Sequence, residues 1–349
     1  MENQQYQYNL GLRFYSVAAQ NSSRVALRFP EGKEITYAEV NDLSNRIARY
    51  LLKFNLCKGD VVAIFNDKSE FGYCLMLACV KIGAIYTNLD NSSPWERVRK
   101  ILVTCSPAIL FYENESSSFI EQIDKTFPSL PYHDLHALQA SLNEFDGWDL
   151  EHTIQIHGGD PAYIMFTSGS TGLPKGAVMS HNNVLNFIQW GRQTFNITAD
   201  DIFTNVNPIY FDNSVFDFYT SLFSGSTLVP LNNNIVKNTK SLVQAINNTG
   251  CSIWFSVPSL LVYLLTTKAL STSDFSSIKR IVFGGEGFPK NKLKQLYDLF
   301  GQRIKLFNVY GPTECTCICS SYVISAADFE NMTELAPLGF IASNFGYEI

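Results

Sequence analysis

The stretch Tyr163-Ile-Met-Phe-Thr-Ser-Gly-Ser-Thr-Gly-Leu-Pro-Lys-Gly-Ala177 joins an apolar strand candidate, Tyr163–Phe166, to a dense set of phosphate-binding groups. Thr167, Ser168, Ser170 and Thr171 supply hydroxyls. Gly169, Gly172 and Gly176 let backbone N–H groups approach a polyphosphate without a Cβ in the way, and Lys175 adds a mobile cation. A Walker loop needs Gly-Lys-Ser/Thr opening a helix, whereas Lys175 is followed by Gly176-Ala177-Val178. A Ser/Gly-rich linker has a similar composition, but linkers rarely sit between two apolar stretches such as Tyr163–Phe166 and Ala177–Met179. The segment reads as a nucleotide loop of another kind.

Outward from this loop, short β-like runs alternate with helical patterns. Before it come Val61–Phe65, Phe71–Ile82, Ala84–Leu89, Trp95–Val103 and Ala108–Tyr112, then a polar, irregular stretch from Glu113 to Gly159. After it the pattern predicts helix Asn183–Thr194, strand Ile202–Val206, helix Ser214–Phe223, strand Thr227–Leu231 and helix Lys240–Asn247. Strands Ser252–Ser256 and Lys279–Phe283, helix Lys290–Phe300 and strand Ile304–Val309 complete the series. Such βαβ order predicts parallel sheets flanked by helices, with ligands beyond the carboxyl ends of the strands.

The bulk numbers set bounds. With 349 residues and 46% hydrophobic content the chain can bury a sizeable core. A formal net charge of −6 leaves no basic stripe for nucleic acid and no cationic cluster for an anionic membrane. The N-terminus is polar, and the most apolar helix candidate is interrupted by Lys81, so neither a signal peptide nor a membrane span is expected. Eight cysteines in such a chain read as free thiols, with the cytoplasm as the default compartment. Cys315, Cys317 and Cys319 alternate at period two, which in a strand would aim all three at one face. A metal cluster is the less favoured reading, because the row lacks the turn of a Cys-x-x-Cys knuckle.

Phe166–Gly176 resembles the phosphate-loop signature of the adenylate-forming superfamily, which includes acyl-CoA synthetases, luciferases and nonribosomal-peptide adenylation domains. Other segments resemble its motifs in the same order: Ile35-Thr-Tyr-Ala-Glu-Val-Asn41, Lys81-Ile-Gly-Ala-Ile-Tyr-Thr-Asn-Leu-Asp90 with Pro94-Trp-Glu-Arg97, Tyr210-Phe-Asp-Asn-Ser-Val215, Phe283-Gly-Gly-Glu286 and Asn308-Val-Tyr-Gly-Pro-Thr-Glu314. The resemblance implies an α/β N-terminal core over residues 1–349. That core has two helix-flanked, mostly parallel sheets packed as layered lobes, plus part of a small β-barrel. It also implies that the family's ribose-binding Asp, catalytic Lys and mobile C-terminal lobe lie past Ile349, so that the chain alone binds adenylate-like ligands but catalyses poorly.

By the same resemblance, Thr167, Ser168, Gly169, Ser170, Thr171, Gly172 and Lys175 hold the phosphates of ATP. Gly285 and Glu286 wall the base, Asn308 reads its exocyclic amine, Tyr310 stacks on it, and Gly311 and Thr313 approach the nucleotide. Glu314 ligates Mg²⁺, a hard cation suited to a carboxylate oxygen. Thr167, Lys175, Thr313 and Glu314 form the implied catalytic set. Asp212, in Phe211-Asp-Asn-Ser-Val215, matches the residue that pairs with the α-ammonium in amino-acid-activating members, a charge-assisted contact of about 1.5–3 kcal/mol. Capping of the following helix by Asp212 or Ser214 is the structural alternative.

The implied side-chain pocket is Phe211, Asp212, Asn213, Phe216, Phe255, Val282, Gly284, Val309, Cys317 and Ile318. It is apolar beyond Asp212 and Asn213, with two phenylalanines limiting depth and Gly284 leaving room. A branched aliphatic amino acid (Ile, Val or Leu) is expected, activated as aminoacyl-AMP and passed to the phosphopantetheine thiol of a carrier protein. The alternatives are an acyl- or aryl-CoA ligase and a catalytically incomplete nucleotide-binding module.

Overall fold

Turn chemistry sets the element boundaries. Asn9 accepts from the Leu12 N–H at 2.8 Å and starts the helix Leu10–Gln20. Thr36 and Glu39 form a reciprocal capping box, with Glu39 Oε2 accepting from the Thr36 N–H at 2.7 Å, and this starts Tyr37–Lys53. Gly83, at φ 76°, ends the helix Glu70–Ile82 in the left-handed conformation that only glycine adopts cheaply. The computed structural model describes residues 7–113, 117–167, 173–346 and 348.

Met1–Ser23 and Thr36–Leu185 form one compact unit, and Arg24–Ile35 and Asn186–Ile349 form another. The first holds a six-stranded sheet in the order Tyr132–Asp134, Ile109–Tyr112, Val61–Phe65, Ile85–Asn88, Pro161–Thr167 and Lys175–Ser180. All neighbours are parallel except the last pair, an antiparallel hairpin in which Thr167 lies opposite Lys175. Ala63, Phe65, Ile85, Leu110, Ile164 and Phe166 face Val98, Ile101 and Leu102 of the helix Trp95–Cys105 across an apolar core.

The second unit holds a nine-stranded sheet, ordered Phe340–Ile341, Ser320–Val323, Lys305–Tyr310, Arg280–Gly284, Ile253–Ser256, Ile202–Asn205, Thr227–Pro230, Val25–Arg28 and Glu34–Thr36. The run from Lys305–Tyr310 to Val25–Arg28 is parallel, and the two strands beyond Lys305–Tyr310 are antiparallel. Trp254, Ile281, Phe283 and Leu306 point to one face, into a core shared with the helices Thr239–Thr249, Pro258–Thr266 and Lys290–Phe300. Side chains alternate along a strand, so Phe255, Val282, Gly284, Phe307 and Val309 share the opposite face. Among the described residues every strand belongs to one of these two sheets, with the antiparallel strands Ser320–Val323 and Phe340–Ile341 continuing the second.

The predicted alternation is thus present, and Val61–Phe65 and Lys290–Phe300 have the expected limits. The stretch from Glu113 to Gly159 is more ordered than its composition indicated. It contains the helices Ser117–Thr126 and Leu135–Leu142, the short strand Tyr132–Asp134 and a 3₁₀ turn at Glu151–Gln155. The expected helix Ser214–Phe223 is present as a continuous helical run from Asn213 to Leu222, with a π-helical segment at Phe216–Thr220.

Lys81, expected to interrupt an apolar helix, is fully buried. Its ammonium donates to Asn41 Oδ1 at 2.8 Å, Ser44 Oγ at 2.7 Å and Asn45 Oδ1 at 2.7 Å, and lies 4.7 Å from the Tyr15 ring centroid. Burial still depresses its pKa to about 7. Among the described residues no helix is long and apolar enough to cross a membrane.

Candidate active site

In the second unit the parallel strands Ile202–Asn205, Ile253–Ser256, Arg280–Gly284 and Lys305–Tyr310 are neighbours. Their carboxyl ends open onto one edge of the sheet, and the turns that follow carry Asp212, Gly285 and Thr313. Asp212 occupies the position before Asn213–Val215 but its side chain makes no capping hydrogen bond. Ser214 is turned to the backbone instead, with its hydroxyl donating to Phe211 O at 2.8 Å and Ile209 O at 3.2 Å. The capping alternative therefore does not account for either side chain.

Asp212 is half-buried and hydrogen-bonded to the Thr313 side chain and the Asn213 backbone. Burial raises its pKa above the usual carboxylate value, and the nearby Glu314 carboxylate adds to the rise. Thr313 and Glu314 ride on a 3₁₀ turn, Thr313–Cys315, where Glu314 is exposed. The two carboxylates thus share one neighbourhood, and no lysine or arginine among the described residues forms an ion pair with Asp212.

The apolar residues gather around this point. Phe216 is fully buried, with the Phe255 ring 5.2 Å away, Phe195 at 5.2 Å and Phe203 at 5.7 Å. The Cys317 thiol sits against the Phe216 backbone in the field of Asp212 and Asp217, and burial pushes its pKa well up. Phe255 pairs with Val282, and Gly284 with Val309, in adjacent strands. Val282, Val309 and Ile318 are all buried, whereas Phe211 is 52% exposed. Asn213 reaches the turn at Gly285, where a Cβ would lie 3.7 Å from its Nδ2.

Three expectations change on contact with the packing. Gly284 does not leave room: a Cβ there would meet the Val309 carbonyl oxygen at 2.4 Å, so glycine is required by a neighbouring backbone. Glu286 has a partner within the chain, its Oε2 accepting from the Ser259 N–H at 3.2 Å in the first turn of the helix Pro258–Thr266. The cysteine row is not a strand. Cys315 ends the 3₁₀ turn, Thr316 and Cys317 are left-handed at φ 61° and 78°, and the next strand begins at Ser320.

Asn308 is buried, and its Nδ2 donates to Pro337 O at 2.9 Å and Ala336 O at 3.3 Å, which fixes which way its amide faces. Tyr310, in the same strand, is 46% exposed. Gly311 is a close-approach position, since a Cβ would lie 2.4 Å from the Cys317 carbonyl oxygen.

In the first unit, Thr167 and the exposed Lys175 close the base of the nucleotide-loop hairpin. Ser168, Gly169, Ser170, Thr171 and Gly172 lie outside the described residues. His181 begins the helix His181–Thr194, two residues earlier than the pattern predicted. Its buried Nδ1 accepts from the Leu10 N–H at 3.0 Å, and burial lowers its pKa to about 4. Asp217 was not anticipated: fully buried, its Oδ2 accepts from Asn205 and Asn207, each at 3.0 Å.

Residues 14–349 match the family described as AMP-binding enzyme. The L-proline--[L-prolyl-carrier protein] ligase of Streptomyces coelicolor is 29% identical over 344 residues, covering 94% of this chain and 63% of that protein. The D-alanine--D-alanyl carrier protein ligase of Listeria monocytogenes serotype 4b is 30% identical over 311 residues, covering 89% of this chain and 60% of the ligase. The chain therefore spans about three fifths of the length of these curated relatives. In fold it is similar to the Klebsiella oxytoca NpsA N-terminal subdomain in complex with 3-hydroxybenzoyl-AMSN. The TM-score is 0.83 at 22% identity, covering 97% of this chain and 81% of that one.

Proposed function

The chain belongs to the AMP-binding enzyme family, and on that premise we propose that it is the nucleotide-binding and substrate-selecting part of a ligase that activates an amino acid as aminoacyl-AMP. The activated acyl group then passes to the phosphopantetheine thiol of a carrier protein. The observation that carries this reading is Asp212: a half-buried carboxylate beside a second carboxylate, with no cationic partner among the described residues, at the mouth of an apolar face. An α-ammonium supplies the missing charge.

In the proposed reaction the substrate carboxylate attacks the α-phosphorus of ATP and pyrophosphate leaves. Two anions must meet, so the protein's work is positional and electrostatic. Asp212 orients the amino acid through its ammonium. The Thr313 hydroxyl, bonded to Asp212, aligns that carboxylate and faces the incoming phosphate. Lys175 and Thr167, opposite each other at the neck of the hairpin, present the loop that grips the β- and γ-phosphates. Tyr310 offers a partly exposed ring for adenine to stack on. Asn308, anchored through Nδ2, offers Oδ1, the acceptor that the exocyclic amine needs.

Mg²⁺ suits this donor set, because Glu314 is an exposed carboxylate beside a second acid whose pKa is raised. Glu314 would hold the ion, which when bound offsets phosphate charge.

The buried apolar lining supports an uncharged aliphatic side chain, for which isoleucine, valine or leucine is the proposed class; an unpaired charge there would cost several kcal/mol. With Val309 filling the space beside Gly284, the pocket is shallower than its composition implied. The names of the relatives, which give proline and D-alanine as substrates, also support an amino acid over a fatty or aryl acid.

The test is calorimetric titration of this chain with non-hydrolysable acyl-adenylate mimics carrying isoleucyl, prolyl, fatty acyl and benzoyl groups. The isoleucyl mimic is expected to bind tightest. Asp212→Ala should weaken it about 10- to 100-fold, as loss of a charge-assisted contact requires, while leaving a des-amino version unchanged. Tighter binding of the fatty acyl or benzoyl mimic, or indifference to Asp212→Ala, would overturn the reading.

A further inference from the structure

Phe216 opens the π-helical segment Phe216–Thr220, and the residue beside it, Asp217, is a fully buried acid. Turns of this kind are rare and gather at functional sites. Neighbouring side chains on a helix diverge. The Phe216 ring enters the aromatic cluster, 5.2 Å from the ring of Phe255, while Asp217 turns to the sheet, its Oδ2 accepting from Asn205 Nδ2 and Asn207 Nδ2, each at 3.0 Å. Asn207 is itself buried, and its Nδ2 also donates to the Phe255 carbonyl oxygen at 3.0 Å. One amide thus ties the acid beside Phe216 to the backbone of Phe255. Burying an acid is costly, the net gain from its hydrogen bonds is small, and an apolar side chain would fill the same space at less cost. Filling space is therefore a poor account of this pair.

We propose that Asp217 and Asn207 are positioning residues for substrate selection, which together fix the spacing of Phe216 and Phe255 and so the depth open to the substrate side chain. The role presupposes the amino-acid pocket proposed for those two rings. Both residues act through the rings rather than on the substrate. Asn205 donates to the same Asp217 oxygen, but from the strand Ile202–Asn205, which carries none of the residues assigned to the pocket. It anchors the helical segment to the sheet without setting the distance between the rings. The link is one of hydrogen-bond geometry rather than charge, since in Asp217→Asn a side-chain oxygen can still accept from both amides.

The experiment is calorimetric titration of the folded chain with isoleucyl, phenylalanyl and benzoyl adenylate mimics, with urea unfolding of each variant alongside. The wild type is expected to bind the isoleucyl mimic tighter than the phenylalanyl one. Asn207→Ala should cut that preference about tenfold, the scale of one methylene of pocket space, because the two rings are free to part. Asn205→Ala should lose comparable stability and keep the wild-type preference, and Asp217→Asn should keep it too. A role confined to the fold makes Asn205→Ala and Asn207→Ala behave alike in both measurements. That result, or a lost preference in Asp217→Asn, would overturn the proposal. Where Asn207→Ala does not fold, Asn207→Ser, whose single hydroxyl proton serves one partner at a time, carries the same expectation. A wild type that binds the benzoyl mimic tightest sinks the amino-acid reading and this role with it. A wild type that prefers the isoleucyl mimic, with the preference unchanged in Asn207→Ala, leaves that reading standing and removes the role of Asp217 and Asn207 alone.

Discussion

Asp201 and Asp212 stand at opposite edges of the nine-stranded sheet and are solvated in opposite ways. Asp201, just before the strand Ile202–Asn205, is 1% exposed. It accepts from Ser252 Oγ at 2.8 Å and the Thr198 N–H at 3.0 Å, with Arg280 at 3.3 Å and Lys279 at 3.5 Å. Burial works against ionisation, yet these donors hold its pKa below the ordinary value of 3.8. Asp212, in the loop after the same strand, has one hydroxyl, two backbone amides and an acidic neighbour, and burial raises its pKa. The amino edge neutralises its own charge, and the carboxyl edge leaves one for a ligand to neutralise.

Breaking the satisfied edge should have the largest effect. Asp201→Ala leaves the partly buried Arg280 without its carboxylate and Ser252 Oγ and the Thr198 N–H without an acceptor, and urea unfolding should show a loss of about 3–5 kcal/mol. The Asp201 contribution is present above pH 3.8 and lost as pH falls through its depressed folded-state value, so the wild type and variant should converge in acid.

A similar loss, about 3–5 kcal/mol, is expected for Phe216→Ala, because four aromatic neighbours surround that ring and a cavity would remain. Widening the pocket there costs stability before it changes selectivity. Phe216→Leu is the variant in which a shift in mimic preference is readable.

The first unit offers a third check. His181 is buried as neutral imidazole with a pKa of about 4 against an ordinary 6.5. The sign follows: its contribution is present above pH 6.5 and is lost as pH falls towards 4. Denaturation across that window should show a loss of roughly 3 kcal/mol that His181→Asn lacks.

The smallest effect belongs to Asp212→Asn. A raised folded-state pKa means that the ionised form costs stability as pH rises through it, so the ligand-free variant should be more stable at pH 7, by less than about 1 kcal/mol. A clear loss of stability would show that Asp212 is satisfied within the chain and erase the contrast with Asp201.

Periodicity and caps carried much of the fold. Alternating runs located both sheets, and the Thr-x-x-Glu signature at Thr36–Glu39 marks a helix that motif comparison alone left undescribed. Motif spacing put Asp212 and Thr313 in turns that follow strands, and Phe255, Val282, Gly284 and Val309 fall within strands of one sheet. It failed where an answer depended on a distant segment. The strand Lys305–Tyr310 fills the space beside Gly284, the helix Pro258–Thr266 occupies Glu286, and the helix Tyr37–Lys53 solvates Lys81. The period-two cysteines failed for a local reason, since two left-handed residues override the alternation.

The outer strand Val25–Arg28 pairs with Thr227–Pro230, Leu27 lying opposite Leu228, and this has a consequence for synthesis. During translation the strand emerges early but its partner follows some two hundred residues later, which at ribosomal speeds of about 5–20 residues per second is on the order of 10–40 s. Throughout that interval Val25–Arg28 has an unpaired edge, and the second unit cannot close its sheet. A nascent chain stalled before residue 227 therefore presents an adhesive strand to its neighbours on a polysome, and the chain is most exposed to aggregation before its larger sheet is complete.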